Sequence, residues 1–388
     1  MNVKLAGSRR LAGVAAMSAL ALTLAACGNG DASEDDASTG TGTGTTADTA
    51  SNAGGSGELS GSIAGSGASS QEAAMQGWIA GFMDQNPDVD VTYDPTGSGT
   101  GREQFLNGTV LFAGTDSTLD EEELAAGVDR CFGGEVIELP LYISPIAVIY
   151  NLPDVDAEHI NMDAETIAGV FMGEITSWDD PAIAEANPDV ELPDLPIIPV
   201  NRSDDSGTTE NFTAYLSEAA GDVWTHGEVE TWPISGTQSG AQTSGMIDVV
   251  SGAEGTIGYA DASRAGDLGT IAVGVGDDYV PFSPEAAAAV VDASPAAEDA
   301  TDLRLTVDLA RDTTEAGTYP IVLISYSVAC SQYDNEADAA NVKGLFEYIA
   351  SPEGQDRAAQ PDVAGSAPIS DDLRGRVQAA LDRITVAG

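Results

Sequence analysis

Positive charge is what this sequence has least of. Lysine and arginine together number 14 against 63 aspartates and glutamates, giving a formal net charge of -49 over 388 residues. Such a chain is repelled by nucleic-acid phosphates and by anionic lipid surfaces, so neither is expected as a partner. Histidine is nearly absent, and His159 and His226 stand in no motif. With so few groups that titrate near neutrality, general-base chemistry and His-rich metal sites have little to draw on. No Gly-Lys-Ser/Thr phosphate loop for nucleotide occurs. Apart from one run near the start, no apolar stretch is long enough to cross a bilayer. An anion site in so acidic a chain must work through local donors, which makes each rare arginine informative.

Cysteine is also scarce, with Cys27, Cys131 and Cys330 the full set. Lys4, Arg9 and Arg10 precede the apolar run from Leu11 to Ala26, the layout of a secretory signal over residues 1–26. The run closes as Leu24-Ala25-Ala26-Cys27, which resembles the bacterial lipobox, whose cysteine is lipidated and begins the mature protein. A plain secreted chain with a chance cysteine is the alternative. From Gly28 to Gly57 the composition is almost entirely Gly, Ser, Thr, Ala and Asp, too poor in large apolar residues to bury a core, so residues 27–57 read as a lipidated cysteine and a flexible tether. Folding is expected to begin near Glu58. In an oxidising compartment Cys131 and Cys330 can pair, tying the C-terminal part back to the early part of the fold, with two buried free thiols as the alternative.

What is present is a repeated pattern of strand, Gly/Ser turn and helix. Leu59–Ala64 runs into Gly65-Ser66-Gly67-Ala68-Ser69-Ser70, followed by a helix with Met75, Trp78, Ile79 and Phe82 on one face and Ser69 and Glu72 spaced as a capping box. Val89, Val91 and Tyr93 alternate as a strand before Gly97-Ser98-Gly99-Thr100-Gly101 opens a second helix. Thr109–Ala113 is the next strand, and Asp116 beyond it reads most simply as the cap of the helix after Leu119. Val136–Tyr150 is a long β-rich run broken by Pro140 and Pro145, with the look of a crossing between domains. Helices are expected at Ala164–Met172, at Pro284–Asp292, from Ser244, over Val342–Ile349 and over Leu373–Ile384, and strands at Ile197–Val200, Gly255–Tyr259 and Tyr319–Val328. Trp178 reads as a packing residue.

The most informative stretch is Asn201-Arg202-Ser203-Asp204-Asp205-Ser206-Gly207-Thr208-Thr209. Phe212, Tyr215 and Leu216 lie beyond it at helical spacing, so Ser206, Gly207 and Thr208 should sit at a helix N-terminus, where unpaired N–H groups and the helix dipole favour an anion. Arg202 offers a bidentate fork, and Asp204 is placed to hold it. An ordinary N-cap with a surface ion pair is the plain alternative. Alternation of strands and helices argues for an α/β fold with ligand sites beyond the strand ends.

Taken in order, these pieces resemble the phosphate-binding lipoproteins of the bacterial Pst transporter, class II periplasmic-type binding proteins, from about Leu59 to the C-terminus. The matching stretches are Gly65–Ser69, Gly97–Gly99, Phe112–Asp116, Thr176–Pro181, Arg202–Thr208 and Gly255–Tyr259. The resemblance implies that Ser69 gives a hydroxyl, Ser70 a backbone N–H, Ser98 a hydroxyl and N–H, and that Asp116 accepts the phosphate proton. It further implies that Arg202 gives the charged fork and that Ser206, Gly207 and Thr208 donate from the helix end. The role of Asp116 follows from the resemblance alone. Departures are Ser69 where many relatives have Thr, Ser70 in place of an aromatic, Asp205 where Gly is usual, and Leu111 in place of an acid seen in some relatives.

The implied architecture is an α/β, two-lobed periplasmic-binding-protein fold of type II, with lobe 1 from residues 58–141 and 322–388, lobe 2 from 142–321, and crossing hinge strands between them. The implied activity is capture of inorganic phosphate outside the cytoplasm by a monomer held to the membrane through Cys27, and delivery to an ABC permease with a separate ATPase. No enzyme activity, metal or cofactor is expected. The rivals are a binder of another oxyanion such as sulfate or molybdate, a surface lipoprotein that retains the fold without the pocket, and a phosphatase or esterase with Ser206 as nucleophile, which lacks an evident base.

Overall fold

The computed structural model describes residues 59–388, so the secretory signal, Cys27 and the tether lie outside the described residues. The first part of the chain gives β1 (Gly61–Gly67), α1 (Glu72–Gln85), β2 (Val89–Asp94), α2 (Ser98–Leu106), β3 (Phe112–Thr115) and α3 (Glu121–Arg130). Then come β4 (Val136–Tyr150), β5 (Ile160–Met162), α4 (Ala164–Met172), α5 (Pro181–Ala186), β6 (Ile198–Arg202) and α6 (Gly207–Ala219). The middle continues with β7 (Gln238–Gly240), α7 (Gln242–Ser251), β8 (Thr256–Asp261), β9 (Gly269–Val275), β10 (Asp278–Val280) and α8 (Pro284–Ala293). The chain closes with β11 (Val322–Cys330), β12 (Gln332–Tyr333), α9 (Glu336–Ala350), α10 (Pro352–Ala358), α11 (Asp371–Leu381) and β13 (Thr385–Val386). Among these residues no helix is long and apolar enough to cross a membrane.

Eleven strands form one curled sheet with the path β2-β1-β3-β11-β4-β8-β6-β7, and β9 joins at β4 while carrying β5 and β10. β1 pairs in parallel with β2 and β3, and β6 in parallel with β7 and β8, so each end of the sheet is built from strand–helix units. β4 connects the ends. Its first part, Val136–Pro145, pairs antiparallel with β11, and Ile146–Tyr150 pairs antiparallel with β8.

Two prolines inside one strand need an account, because proline has no N–H to give a ladder. Pro140 lies where the β11 register shifts between Ser325 and Tyr326, and Pro145 is the last residue paired with β11 before β8 takes over. Both sit where the ladder is already irregular. All fifteen residues of β4 are buried, so the run reads as almost continuously apolar.

Each end of the sheet has its own aromatic packing. Phe112 meets Phe346 edge-on at 5.7 Å on the β1 side, and on the other side Phe212 stacks on Tyr259 at 4.4 Å with Phe171 against both. Trp178 is a packing residue, fully buried, with its Nε1 donating to Gly255 O at 3.1 Å.

Two local expectations fail. Ser69 and Glu72 make no capping box: α1 starts at Glu72 with Gln71 as N-cap and no side-chain cap bond, because the Ser69 hydroxyl is engaged across the cleft. Asp116 does not cap α3 either, since Asp120 does, in a capping box with Glu123. Strands β5, β9 and β10 and helix α10 also go beyond what the sequence pattern marked.

Candidate functional site

The C-terminal ends of β1, β2, β3, β6 and β7 lead into turns that face one another, and helices α1, α2, α6 and α7 begin there. Every residue named from the sequence as an anion contact lies in these turns or at the strand and helix ends that border them. Asp116, just past β3, is 5% exposed and its carboxyl is the meeting point. Oδ1 accepts the Ser70 hydroxyl at 2.7 Å, and Oδ2 accepts Thr208 Oγ1 at 3.0 Å. Its own N–H donates to Ser98 Oγ at 3.2 Å, and its carbonyl accepts Asn211 Nδ2 at 2.8 Å. One end of the sheet supplies Ser70, Ser98 and Asp116, and the other supplies Thr208 and Asn211. The expectation for Ser70 was a backbone donor, whereas here its hydroxyl supports Asp116.

Burial raises the Asp116 carboxyl above its ordinary range, opposed by the hydroxyls around it and by the Arg202 charge. Ser325, on β11, brings its hydroxyl near the same carboxyl but outside hydrogen-bond geometry.

Arg202, the last residue of β6, is 3% exposed. Its Nε donates to Asp204 Oδ1 at 2.8 Å and its Nη2 to Asp204 Oδ2 at 2.5 Å, a bidentate pair that fixes the plane of the guanidinium. Nη1 has no protein acceptor among the described residues. Asp204 Oδ1 also takes the N–H of Gln242, a residue at φ +59° that opens α7, so the same carboxylate orients a second helix N-terminus.

Ser206 is the N-cap of α6, its hydroxyl accepting the Thr209 N–H at 3.2 Å. The N–H groups of Gly207 and Thr208 have no acceptor among the described residues, as expected of the first positions in a helix. Glycine is required at 207 for a steric reason: a Cβ there would lie 2.7 Å from both Asp116 Cβ and Ser117 Oγ and 2.8 Å from Ser98 Oγ. Gly97, the N-cap of α2 at φ +101°, is held equally close, since a Cβ would approach Asp204 Oδ2 to 2.8 Å.

Ser69 is 3% exposed and accepts the Thr243 N–H at 3.0 Å, with the Thr243 hydroxyl also at 3.0 Å. Thr243 was not read from the sequence as a site residue. The signal was the Ser/Gly helix start of α7, and nothing local tied it to Ser69. Asp205 carries its charge away from the turn, accepting Thr231 Oγ1 at 2.5 Å at the surface.

A second cluster adjoins the first. Arg102 of α2 is 7% exposed and donates from Nε to Glu123, from Nη1 to Thr115 Oγ1 at 3.1 Å, and from both Nη atoms to Glu230 at 2.8 Å. Ser117 Oγ lies 2.6 Å from Glu230 Oε1 and also contacts Glu210 of α6. Burial pushes Glu210 up to about 8, while the Arg102 fork, acting against burial, holds Glu230 below its ordinary value.

The histidines stand apart from Ser206: His159 Nδ1 bonds Thr270 Oγ1 at 2.8 Å, and His226 packs on Trp224. No group of three or more metal-ligating side chains is assembled among the described residues.

Residues 34–353 match the model of the PBP superfamily domain. The chain is 32% identical over 384 residues to the phosphate-binding protein PstS 2 of Mycobacterium tuberculosis, covering 97% of this chain and 99% of that one. It superposes on the solved structure of PfluDING, a high affinity periplasmic phosphate-binding protein with phosphate bound, at a TM-score of 0.67 and 21% identity, over 82% of this chain and 93% of that one. A phosphate ABC transporter substrate-binding protein of Clostridium perfringens, also with phosphate, gives a TM-score of 0.55 at 20% identity over 78% of this chain and 99% of that one. At these identities the two structures speak to the fold.

Proposed function

The chain belongs to the PstS phosphate-binding proteins of the PBP superfamily, and from that premise we propose that it captures inorganic phosphate outside the cytoplasm and hands it to an ABC-type permease for import. The observation that carries this reading is the convergence of three kinds of group on one cleft: the Arg202 fork locked by Asp204, the N–H groups at the start of α6, and the Asp116 carboxyl between them.

In this reading phosphate enters dehydrated. Ser69, Ser98, Ser206, Gly207 and Thr208 give neutral donors, Ser70 contributes from its backbone and through Asp116, and Arg202 gives the charge. Asp116 sets selectivity. A carboxylate can accept a hydrogen bond from a protonated phosphate, but against fully ionised sulfate it meets only repulsion and an unsatisfied acceptor in a dry site.

We take residues 58–141 and 322–388 as one lobe and 142–321 as the other. The change of partner within β4 supports a hinge there, about which the lobes close over the anion. The chain acts as a monomer, with residues 1–26 removed, Cys27 lipidated and residues 27–57 giving the binding domain reach from the membrane. Transport energy comes from partner subunits, since the sequence has no nucleotide phosphate loop.

Titration calorimetry of the chain from residue 58, stripped of anion, tests this at neutral pH. One-to-one binding of phosphate with no heat from sulfate is expected, and Arg202→Ala should weaken phosphate by on the order of 2–5 kcal/mol, as for other buried charge pairs. Equal affinity for sulfate would make the protein a general oxyanion binder. Absence of binding to either anion would leave a surface lipoprotein.

A further inference from the structure

The cluster around Arg102 is not needed to contact an anion, yet it joins the two ends of the sheet. Arg102, Thr115, Ser117 and Glu123 come from the β1–β3 end, and Glu210 and Glu230 from the β6–β8 end. Glu230 is also tied to the anion turn, because its backbone carbonyl accepts the N–H of Ser206 at 3.2 Å. Opening the cleft must therefore break the two-bond Arg102–Glu230 fork and the Ser117 contacts together.

The hydrogen count at Ser117 adds a constraint. Its oxygen touches a carboxylate oxygen of Glu210 and another of Glu230, but a hydroxyl carries one proton and donates once. The second contact is a hydrogen bond only if that carboxyl brings its own proton. Glu230 receives both Nη donors of Arg102, so it is the ionised member, and the proton belongs on Glu210. The chain then runs from Glu210 to Ser117 Oγ, from Ser117 to Glu230, and on to Arg102.

We propose that Arg102, Ser117, Glu210 and Glu230 form a proton-coupled latch across the cleft, whose closed form holds one proton on Glu210 and which slows release of the bound anion until that proton leaves. The inference rests on the reading that phosphate fills the cleft, and it adds a control on how long the phosphate stays. These are positioning residues, acting through closure rather than by touching the ligand.

The surrounding charges agree with this assignment. Glu210 faces Glu230 and Glu228 from the segment before β7, Arg102 from α2 and Arg311 from the segment before β11. A cavity of about 130 Å³ beside it is lined also by Asp116, Glu218 and Asp308. Arg102 already serves Glu123, and Arg311 bonds Asn211 Oδ1 and the Val322 carbonyl. The arginines are thus outnumbered by carboxylates, and burial favours the neutral acid at Glu210. Once ionised, Glu210 and Glu230 repel across a single hydroxyl, and the latch loosens.

The test is the rate of phosphate release from the full-length chain, read by stopped-flow mixing of phosphate-loaded protein with excess fluorescent phosphate sensor across about pH 6.5 to 9.5. Wild-type release should be slow at the acidic end and quicken as pH rises through the Glu210 titration. Glu210→Gln supplies a permanent amide donor to Ser117, so its release should stay slow and flat with pH. Arg102→Met and Glu230→Gln should each release roughly tenfold faster at the acidic end, where the wild-type latch is closed, and converge with wild type as pH rises, with unchanged circular dichroism to show that both fold. Unchanged release in both of these variants would overturn the latch, and a Glu210→Gln profile parallel to wild type would overturn its proton coupling. If wild-type protein fails to load phosphate at all, the functional reading falls and this inference with it, an outcome distinct from loading with unaltered release.

Discussion

At the scale of single residues the site depends on which acceptor each donor finds. Asp116 shows how far that lies beyond local pattern: an aspartate after a strand and before a helix reads as a cap, and Asp120 holds that place. The role of Asp116 is set by Ser70, Ser98, Thr208 and Asn211, which are distant in sequence and close only in the fold. Arg202 and Asp204 were easier to read because they are two residues apart and their pairing is local. Replacement of Asp116 by Asn keeps size and hydrogen-bonding capacity but lets the side chain turn an NH₂ toward the ligand. Phosphate affinity should fall and sulfate, which the proposed site excludes, should bind; competition titrations with the two anions measure both. Unaltered selectivity would remove Asp116 from the pocket.

At the scale of elements, the helix starts and strand ends do the positioning, and β4 joins them. Asp261 lies at the end of β8, opposite Ile146 on β4, and is fully buried. Its carboxyl accepts the Tyr142 hydroxyl at 3.0 Å from Oδ1 and 3.1 Å from Oδ2, and also the Ser263 N–H at 3.0 Å. Burial raises it from its ordinary 3.8 to about 6, with the bonds from Ser263, Ser144 and Tyr142 acting against the rise. The folded state thus holds this proton more tightly than the unfolded chain. Below the unfolded value the group costs nothing; as pH rises from about 4 to about 6 it takes away stability, by roughly 3 kcal/mol at most, and above that window the loss is constant. Asp261→Asn should remove this component. Urea unfolding of both proteins between pH 4 and 7 measures it, and a constant difference across that range would contradict it.

At the scale of the whole molecule, Cys131 and Cys330 are bonded, with Cα atoms 5.1 Å apart and a sequence separation of 199. Cys131 caps the end of α3 and Cys330 ends β11, so the bond closes the chain around everything between them. A loop of that length predicts about 5 kcal/mol from loop-closure entropy, an upper figure where the unfolded chain keeps residual structure. Cys131→Ser with Cys330→Ser should lower the unfolding free energy by about 2–5 kcal/mol while leaving neutral-pH phosphate binding in place, because Cys330 pairs with Val136 at the start of β4, beyond the Tyr326–Thr115 pairing that borders Asp116. Chemical denaturation followed by phosphate titration checks both parts. The sequence by itself determined the α/β class, the helix start after Ser206, the local pairing of Arg202 with Asp204 and the scarcity of cations that makes Arg202 stand out, because periodicity, capping and short-range pairing act within a few residues. Only the tertiary structure decided that Ser69 faces Thr243, that Asp116 gathers hydroxyls instead of capping a helix, and that Arg102 clasps Glu230. The physical reason is the same for all three: a buried polar group must find its partner wherever closure of the fold places one, and for Ser69, for one oxygen of Asp116 and for Arg102 closure brings a partner from the far end of the sheet.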